Sequence, residues 1–180
     1  MEFMRVFFRF PFCISFITMN KLFVILTCLI LFIYIRFYFF PTKHFQILQT
    51  SLDNINISMI FERQPIILHE YIRDADDITK TILKYLYVTK SYQSVKNLNE
   101  THNQSRYLII HCSSERAVVS IKHPKNNTEV DVLLEKNQVI ILPHLWQYKI
   151  QGEARLIHVF DTSTYIINKI YSYIFFQEIK

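Results

Sequence analysis

The chain has 180 residues, 51% of them hydrophobic, and a formal net charge of +5. Its one glycine, Gly152, excludes glycine-rich phosphate loops of the GxGxxG or GxxxxGK[ST] type, and with them the nucleotide-binding folds built on such loops. Residues 1–40 carry Arg5, Arg9, Lys21 and Arg36 against Glu2, while the remainder holds 16 basic and 14 acidic residues without a basic cluster, so no nucleic-acid partner is expected.

The N-terminal arm, 1–21, is apolar but interrupted by Arg5, Arg9 and Pro11, and Met19 offers an alternative start. Leu22 to Phe40 reads LFVILTCLILFIYIRFYFF, 19 residues with one charge, Arg36, near the end. At 1.5 Å per residue such a helix reaches about 28 Å, close to the hydrocarbon thickness of a bilayer. Residues 22–40 are therefore expected to form a single transmembrane helix, with the lipid bilayer as partner and Pro41 as its stop. No small-residue cleavage site follows, which argues for an uncleaved anchor over a signal peptide. Arg5, Arg9 and Lys21 precede the span and Lys43 follows it, which places the N-terminus in the cytosol and the rest in a lumen or outside the cell. Four N-glycosylation sequons, at Asn56, Asn99, Asn103 and Asn126, all follow the span and agree with that orientation. Of Cys13, Cys28 and Cys112, only the last falls in the folded part, so no disulfide within the domain is expected there.

Residues 41–56 read as a linker with some helical character. Two short apolar runs follow, predicted as strands at 57–61 and 65–69, with Pro65 opening the second. Asp74 and Asp77 mark the start of a helix predicted over 75–92, where Ile78, Ile82, Tyr85 and Leu86 recur at helical spacing. The polar stretch from Lys96 to Ser105 reads as a loop. Thereafter the period is two. Strands are predicted at 106–112, 116–122, 129–134, 138–142, 145–150 and 154–160, with polar connections between them. Ala117, Val119 and Ile121 share one face, as do Val130, Val132 and Leu134, and as do Trp146, Tyr148 and Ile150. A C-terminal helix is expected over 163–180. The fold class is mainly β: an antiparallel barrel or sandwich over 57–162, with one flanking helix and a C-terminal helix.

FERQPIILHEYIRDADDITKTI and NQVIILPHLWQYKI together resemble cupin-like domains of the JmjC type, a double-stranded β-helix. The first is similar to the entry of those domains, and the second to their strand–proline–tryptophan corner. Chains of this build also occur among membrane-anchored proteins of large DNA viruses. The resemblance implies a barrel. It would also imply a His-x-Asp/Glu pair and a distant His holding iron, with open coordination positions. No His-x-Asp or His-x-Glu occurs here, and Gln147 and Tyr148 stand where the corner histidine would follow Trp146. His69 and Glu70 are adjacent, and His158 and Asp161 are three apart, so on a strand each pair would point to opposite faces. No catalytic residue, metal or cofactor is therefore expected. Trp146, Tyr148 and His158 are the candidates for lining a pocket inside the barrel. The expected role is structural or in protein interaction, and the competing one is a small-molecule binder or metal-dependent enzyme using the barrel interior.

Overall fold

The computed structural model describes residues 21–32, 44–81, 88–125, 128–167 and 169. The chain divides into two units, Met1–Phe40 and Pro41–Lys180. In the first, residues 21–32 form helix α1, exposed at every position. Thr27 donates its hydroxyl to the Phe23 carbonyl at 2.8 Å, so the helix satisfies its own polar side chain. Among the described residues no helix is long and apolar enough to cross a membrane. Residues 33–40, the second half of the expected span, and the arm 1–20 lie outside the described residues.

The second unit is mainly β. Among the described residues its elements run β1 (Leu48–Thr50), α2 (Ile57–Phe61), β2 (Ile66–Leu68), α3 (Asp76–Thr81), β3 (Thr89–His102), β4 (Tyr107–Cys112), β5 (Arg116–Lys122), β6 (Glu129–Glu135), β7 (Val139–Pro143) and β8 (Gln147–Phe160). Residues 162–167 are helical (α4), capped by Asp161, whose carboxylate accepts from the Thr164 amide at 2.8 Å. The sheet order is β1-β2-β7-β4-β8-β5-β6, with β3 on the other edge of β8. β1 and β2 are parallel, so the sheet is mixed where a purely antiparallel one was expected.

Strands β4 and β5 lie end to end along one edge of β8, and β7 and β6 lie end to end beyond them. The join between the halves is a line of backbone irregularity. Gly152 in β8 sits at φ +112, Asn97 in β3 at φ 57, and Asn137 between β6 and β7 at φ 64. The Gly152 amide donates to the Asn97 side chain at 2.8 Å, and the Ser113 amide to the Glu153 carbonyl at 3.1 Å. A Cβ on Gly152 would meet the Arg116 carbonyl oxygen at 2.9 Å. The chain's single glycine is thus placed where two strands pass too close for a side chain, in a backbone region that L-residues avoid.

The sheet curls along this line. Residues from both halves form one buried cluster on the concave face, including Leu108, Ile110, Val119, Ile121, Leu134, Ile140, Tyr148 and Leu156, with Phe45 and Ile47 packed against it. The convex face of one half is covered by α2, α3 and their loops, which bury Ile60, Ile72, Ala75 and Ile78 against Ile109, Ile141, Ile157 and Val159. Strand alternation at β5 and β6 agrees with the sequence pattern: Ala117, Val119, Ile121, Val132 and Leu134 are buried, and Leu133 on the convex side is exposed.

Four expectations need correction. Residues 57–61 are helical because Asn56 caps them, its side chain accepting from the Met59 amide. The expected linker 41–56 contains β1 and sends Phe45 and Ile47 into the concave core, so it belongs to the folded unit. The helix predicted to Tyr92 cannot extend past residue 88, because β3 begins at Thr89 and runs through the expected loop as far as His102. The strands 145–150 and 154–160 are one strand, bent at Gly152 rather than broken there. Residues 82–87 and 170–180 of the two expected helices lie outside the described residues.

Candidate functional site

The corner after β7 is built by a buried asparagine. Asn103 is fully buried and donates its side-chain amide to the carbonyls of Leu142 and Pro143, at 3.0 and 2.9 Å. Its Oδ1 accepts from the Ser105 amide at 2.9 Å. Its main chain donates to the Trp146 carbonyl and accepts from the Leu145 amide, at 2.8 and 2.9 Å. This bracing holds Leu145 at φ 70, a left-handed conformation that costs a branched residue roughly 1–2 kcal/mol. His144 places Nδ1 3.1 Å from the Ser105 carbonyl. Every polar atom of the Asn103 amide is engaged, so a glycan at this sequon is incompatible with the folded corner. Asn56 and Asn99 are exposed, the latter on β3, and Asn126 lies outside the described residues.

Trp146 follows the corner and is buried completely, with its ring centroid 5.0 Å from that of His123 and 5.6 Å from that of Phe45. It packs against Phe45, which borders the concave core, and is not among the residues lining the cavity that Tyr148 and His158 share. Among the described residues its Nε1 meets no hydrogen-bond acceptor, and the His123 ring lies edge-on to it at 88°.

Tyr148 and His158 instead share a cavity of about 540 Å³. They are ten residues apart on β8, which in a straight strand would separate them by roughly 33 Å. The curl at Gly152 and Asn97 lets one cavity touch both. Across from them β3 contributes Ser91, Gln93, Leu98 and Thr101. The register puts Ser91 opposite His158 and Thr101 opposite Tyr148. Tyr92, His102, Gln104 and Phe160 complete the lining. His102 is held at 3.5 Å by the Gln147 side-chain amide. The His158 ring stacks on Phe160 with centroids 6.4 Å apart.

Burial sets the protonation of the inner groups. It pushes the Tyr148 phenol up to about 12 and draws His158 below the ordinary imidazole value, so both are neutral near pH 7. No lining side chain is a carboxylate, an amine, a guanidinium or a thiol. Nearby charges of β3 and β8 have partners of their own: Lys96 pairs with Glu153 at 3.1 Å and Lys90 with Asp76 at 2.9 Å, while Arg155 lies over the ring of the lining residue Tyr92 at 5.2 Å.

The remaining reactive residues have structural occupations. Cys112 is buried, its thiol raised by desolvation and donating to the Ser114 carbonyl at 3.3 Å, which disfavours the nucleophilic thiolate. His111 places Nε2 2.9 Å from the Ile72 carbonyl. Asp161 caps α4 and lies 3.7 Å from buried Arg106. Glu70 accepts from the Leu52 amide, and His69 lies 3.2 Å from the Gln49 side chain. Among the described residues no three His, Cys, Asp or Glu side chains gather to hold a metal. The donor set at the corner, a carboxamide and a phenol where two imidazoles and a carboxylate are needed, does not fit the iron of JmjC-type domains.

Ser91, Gln93, Thr101, His102 and Gln104 are not among the residues expected from the sequence, because the stretches that form β3 carry the pattern of a helix and a polar loop. The alternation of Ser91, Gln93 and Val95 against Lys90, Tyr92 and Ser94 is the signal that was available.

No family model matches the chain, and no curated protein matches it. Among solved structures it is similar to Drosophila melanogaster CENP-C bound to CAL1, at 16% identity and a TM-score of 0.34, covering 39% of this chain and 59% of that one. It is similar to the Drosophila melanogaster CENP-C cupin domain, at 16% identity and a TM-score of 0.33, covering 39% and 58%. It is also similar to acireductone dioxygenase from Bacillus anthracis with a cadmium ion in the active center, at 17% identity and a TM-score of 0.35, covering 49% and 58%. The chain spans less than three fifths of each of these structures.

Proposed function

We propose that the chain is a membrane-anchored recognition protein: a single apolar helix within residues 22–40 holds a curled, cupin-like β-domain at a bilayer, and the domain binds rather than catalyses. The observation that carries the binding role is the concave cavity, whose lining offers hydrogen bonds and aromatic surface but no acid, thiol or metal-ligand trio. The anchor is supported by α1, which exposes Leu22, Phe23, Ile25, Leu26, Leu29, Ile30 and Phe32. A helix apolar on every side calls for a nonaqueous surrounding. The arginine and lysine distribution supports a cytosolic N-terminus and a luminal or external domain.

Alkaline carbonate extraction of the expressed full chain tests the anchor, with retention in the membrane pellet as the expected result. Release into the supernatant would overturn it. Metal analysis of the detergent-purified chain tests the absence of metal chemistry. Stoichiometric iron or zinc would favour an enzyme instead. A glycosidase-sensitive mass shift reports the orientation, and its absence in a secretory host would place the domain in the cytosol.

A further inference from the structure

We propose that the concave cavity takes an uncharged, polyhydroxylated ligand of sugar size, held between the Tyr148 and His158 ends of β8 and the inward row of β3. This names the ligand class of the site on which the binding role rests. The volume of about 540 Å³ falls within the range of small-ligand pockets.

The chemistry of the lining selects the class. A hydroxyl both donates and accepts, and it is best met by groups that do the same. Ser91 and Thr101 supply hydroxyls, Gln93 and Gln104 supply carboxamides, and Tyr148 supplies a phenol. Neutral His158 presents one donor nitrogen and one acceptor nitrogen. A charged ligand would leave its charge in a partly desolvated site without a counter-charge, which is costly. A purely apolar ligand would take water away from these hydrogen-bonding groups without replacing its hydrogen bonds.

Geometry supports the same class. The cross-strand pairs Ser91–His158 and Thr101–Tyr148 place polar groups at the two ends of the cavity. Leu98 and Phe160 supply apolar wall for the C–H faces of a ring. Two cations of β3 sit in ion pairs, Lys96 with Glu153 and Lys90 with Asp76. An amphipathic ring with hydroxyls at its rim and carbon at its faces matches that arrangement.

The test uses the full chain in a zwitterionic, sugar-free detergent and saturation-transfer NMR. The probes are glucose, galactose, mannose and N-acetylglucosamine, with glucuronate and glucose 6-phosphate as anionic counterparts. The expected result is transfer to at least one neutral sugar, with its anionic counterparts bound at least about tenfold more weakly. Gln93→Ala and Ser91→Ala lie on an exposed edge strand and should each weaken binding by about tenfold or more. Native Trp146 fluorescence in those variants verifies the fold. Absence of transfer to every neutral sugar at about 10 mM overturns the ligand class. So does binding unchanged by Gln93→Ala and Tyr148→Phe, since it would then lie elsewhere. Carbonate extraction and metal content are read independently, so this inference can fail while the anchored, metal-free reading stands.

Discussion

Replacing Asn103 by Asp changes one atom and removes the donor that joins the β7–β8 corner. In the wild type the amide nitrogen donates to the Leu142 and Pro143 carbonyls, within a site of zero exposure. A protonated Asp can still donate to one of them, so at low pH the variant loses about 1–3 kcal/mol, the cost of one unsatisfied buried carbonyl. An ionised Asp would put a buried negative charge against two carbonyl oxygens, so the folded state retains the proton and the folded pKa rises. The unfolded chain ionises near pH 3.9. Between that pH and the raised folded pKa the native state holds one proton more than the unfolded state. Stability then falls as pH rises, by about 1.4 kcal/mol per unit. From about pH 5 to about pH 7 the variant should lose about 2.7 kcal/mol relative to wild type, over and above the low-pH deficit. At an m-value of about 2 kcal/mol per molar urea this moves the midpoint by about 1.4 M. The chain's single tryptophan, Trp146, lies three residues beyond Pro143 and is fully buried, so its fluorescence reports the transition. A midpoint difference between variant and wild type that stays constant across this pH range would refute the reasoning.

Gly152→Ala should destabilise the domain by about 2–4 kcal/mol, from left-handed strain and overlap with the Arg116 carbonyl, while Gln151→Ala should stay within about 0.5 kcal/mol; urea unfolding of both checks this. Asp161→Ala removes the α4 cap and a carboxylate 3.7 Å from Arg106, an arginine only 4% exposed, and should cost about 3 kcal/mol by the same assay. His111, His144 and His158 are each held below their ordinary value, chiefly by burial. Their neutral folded forms contribute stability that is complete above the unfolded value of about 6.5 and is lost as pH falls through the depressed folded values. The urea midpoint should therefore drop on acidification from about pH 7 to about pH 5, and removing any one of the three by substitution with Gln should flatten that dependence. In a secretory host, Asn56→Gln and Asn99→Gln should each remove one glycosidase-sensitive shift, whereas Asn103→Gln should remove none, because the Asn103 amide is committed to the corner.

The parts of the fold legible in the sequence are those where one strand face is wet and the other dry. β5 and β6 alternate cleanly, and their buried residues are ones the pattern picks out, with Val130 of the same set only partly buried. Elements as brief as β1 and α2, of 3 and 5 residues, contain too few positions for a period to declare itself, and at α2 capping decides instead. Asn56 is the residue that turns an apolar run into a helix. β3 was opaque for another reason. Most of its residues are exposed, so polarity imitates a loop, and what orders it is backbone pairing with β8 along most of its length.

That same pairing explains why the candidate site was half legible. Tyr148 and His158 could be placed on one face by parity alone, but parity says nothing about distance, and ten strand residues ordinarily keep two side chains apart. Only a bend makes them neighbours. The bend depends on Gly152, the one glycine of the chain, which as a sequence feature reads as a turn between two strands. It is instead the point at which one strand changes direction while its ladder to β3 shifts register and resumes, with Tyr148 and His158 at the two ends of a single cavity. A pocket formed this way needs no insertion or loop, and its lining is fixed by strand register. Substitutions on the inward row of β3 should therefore change what the cavity accepts while leaving the sheet intact.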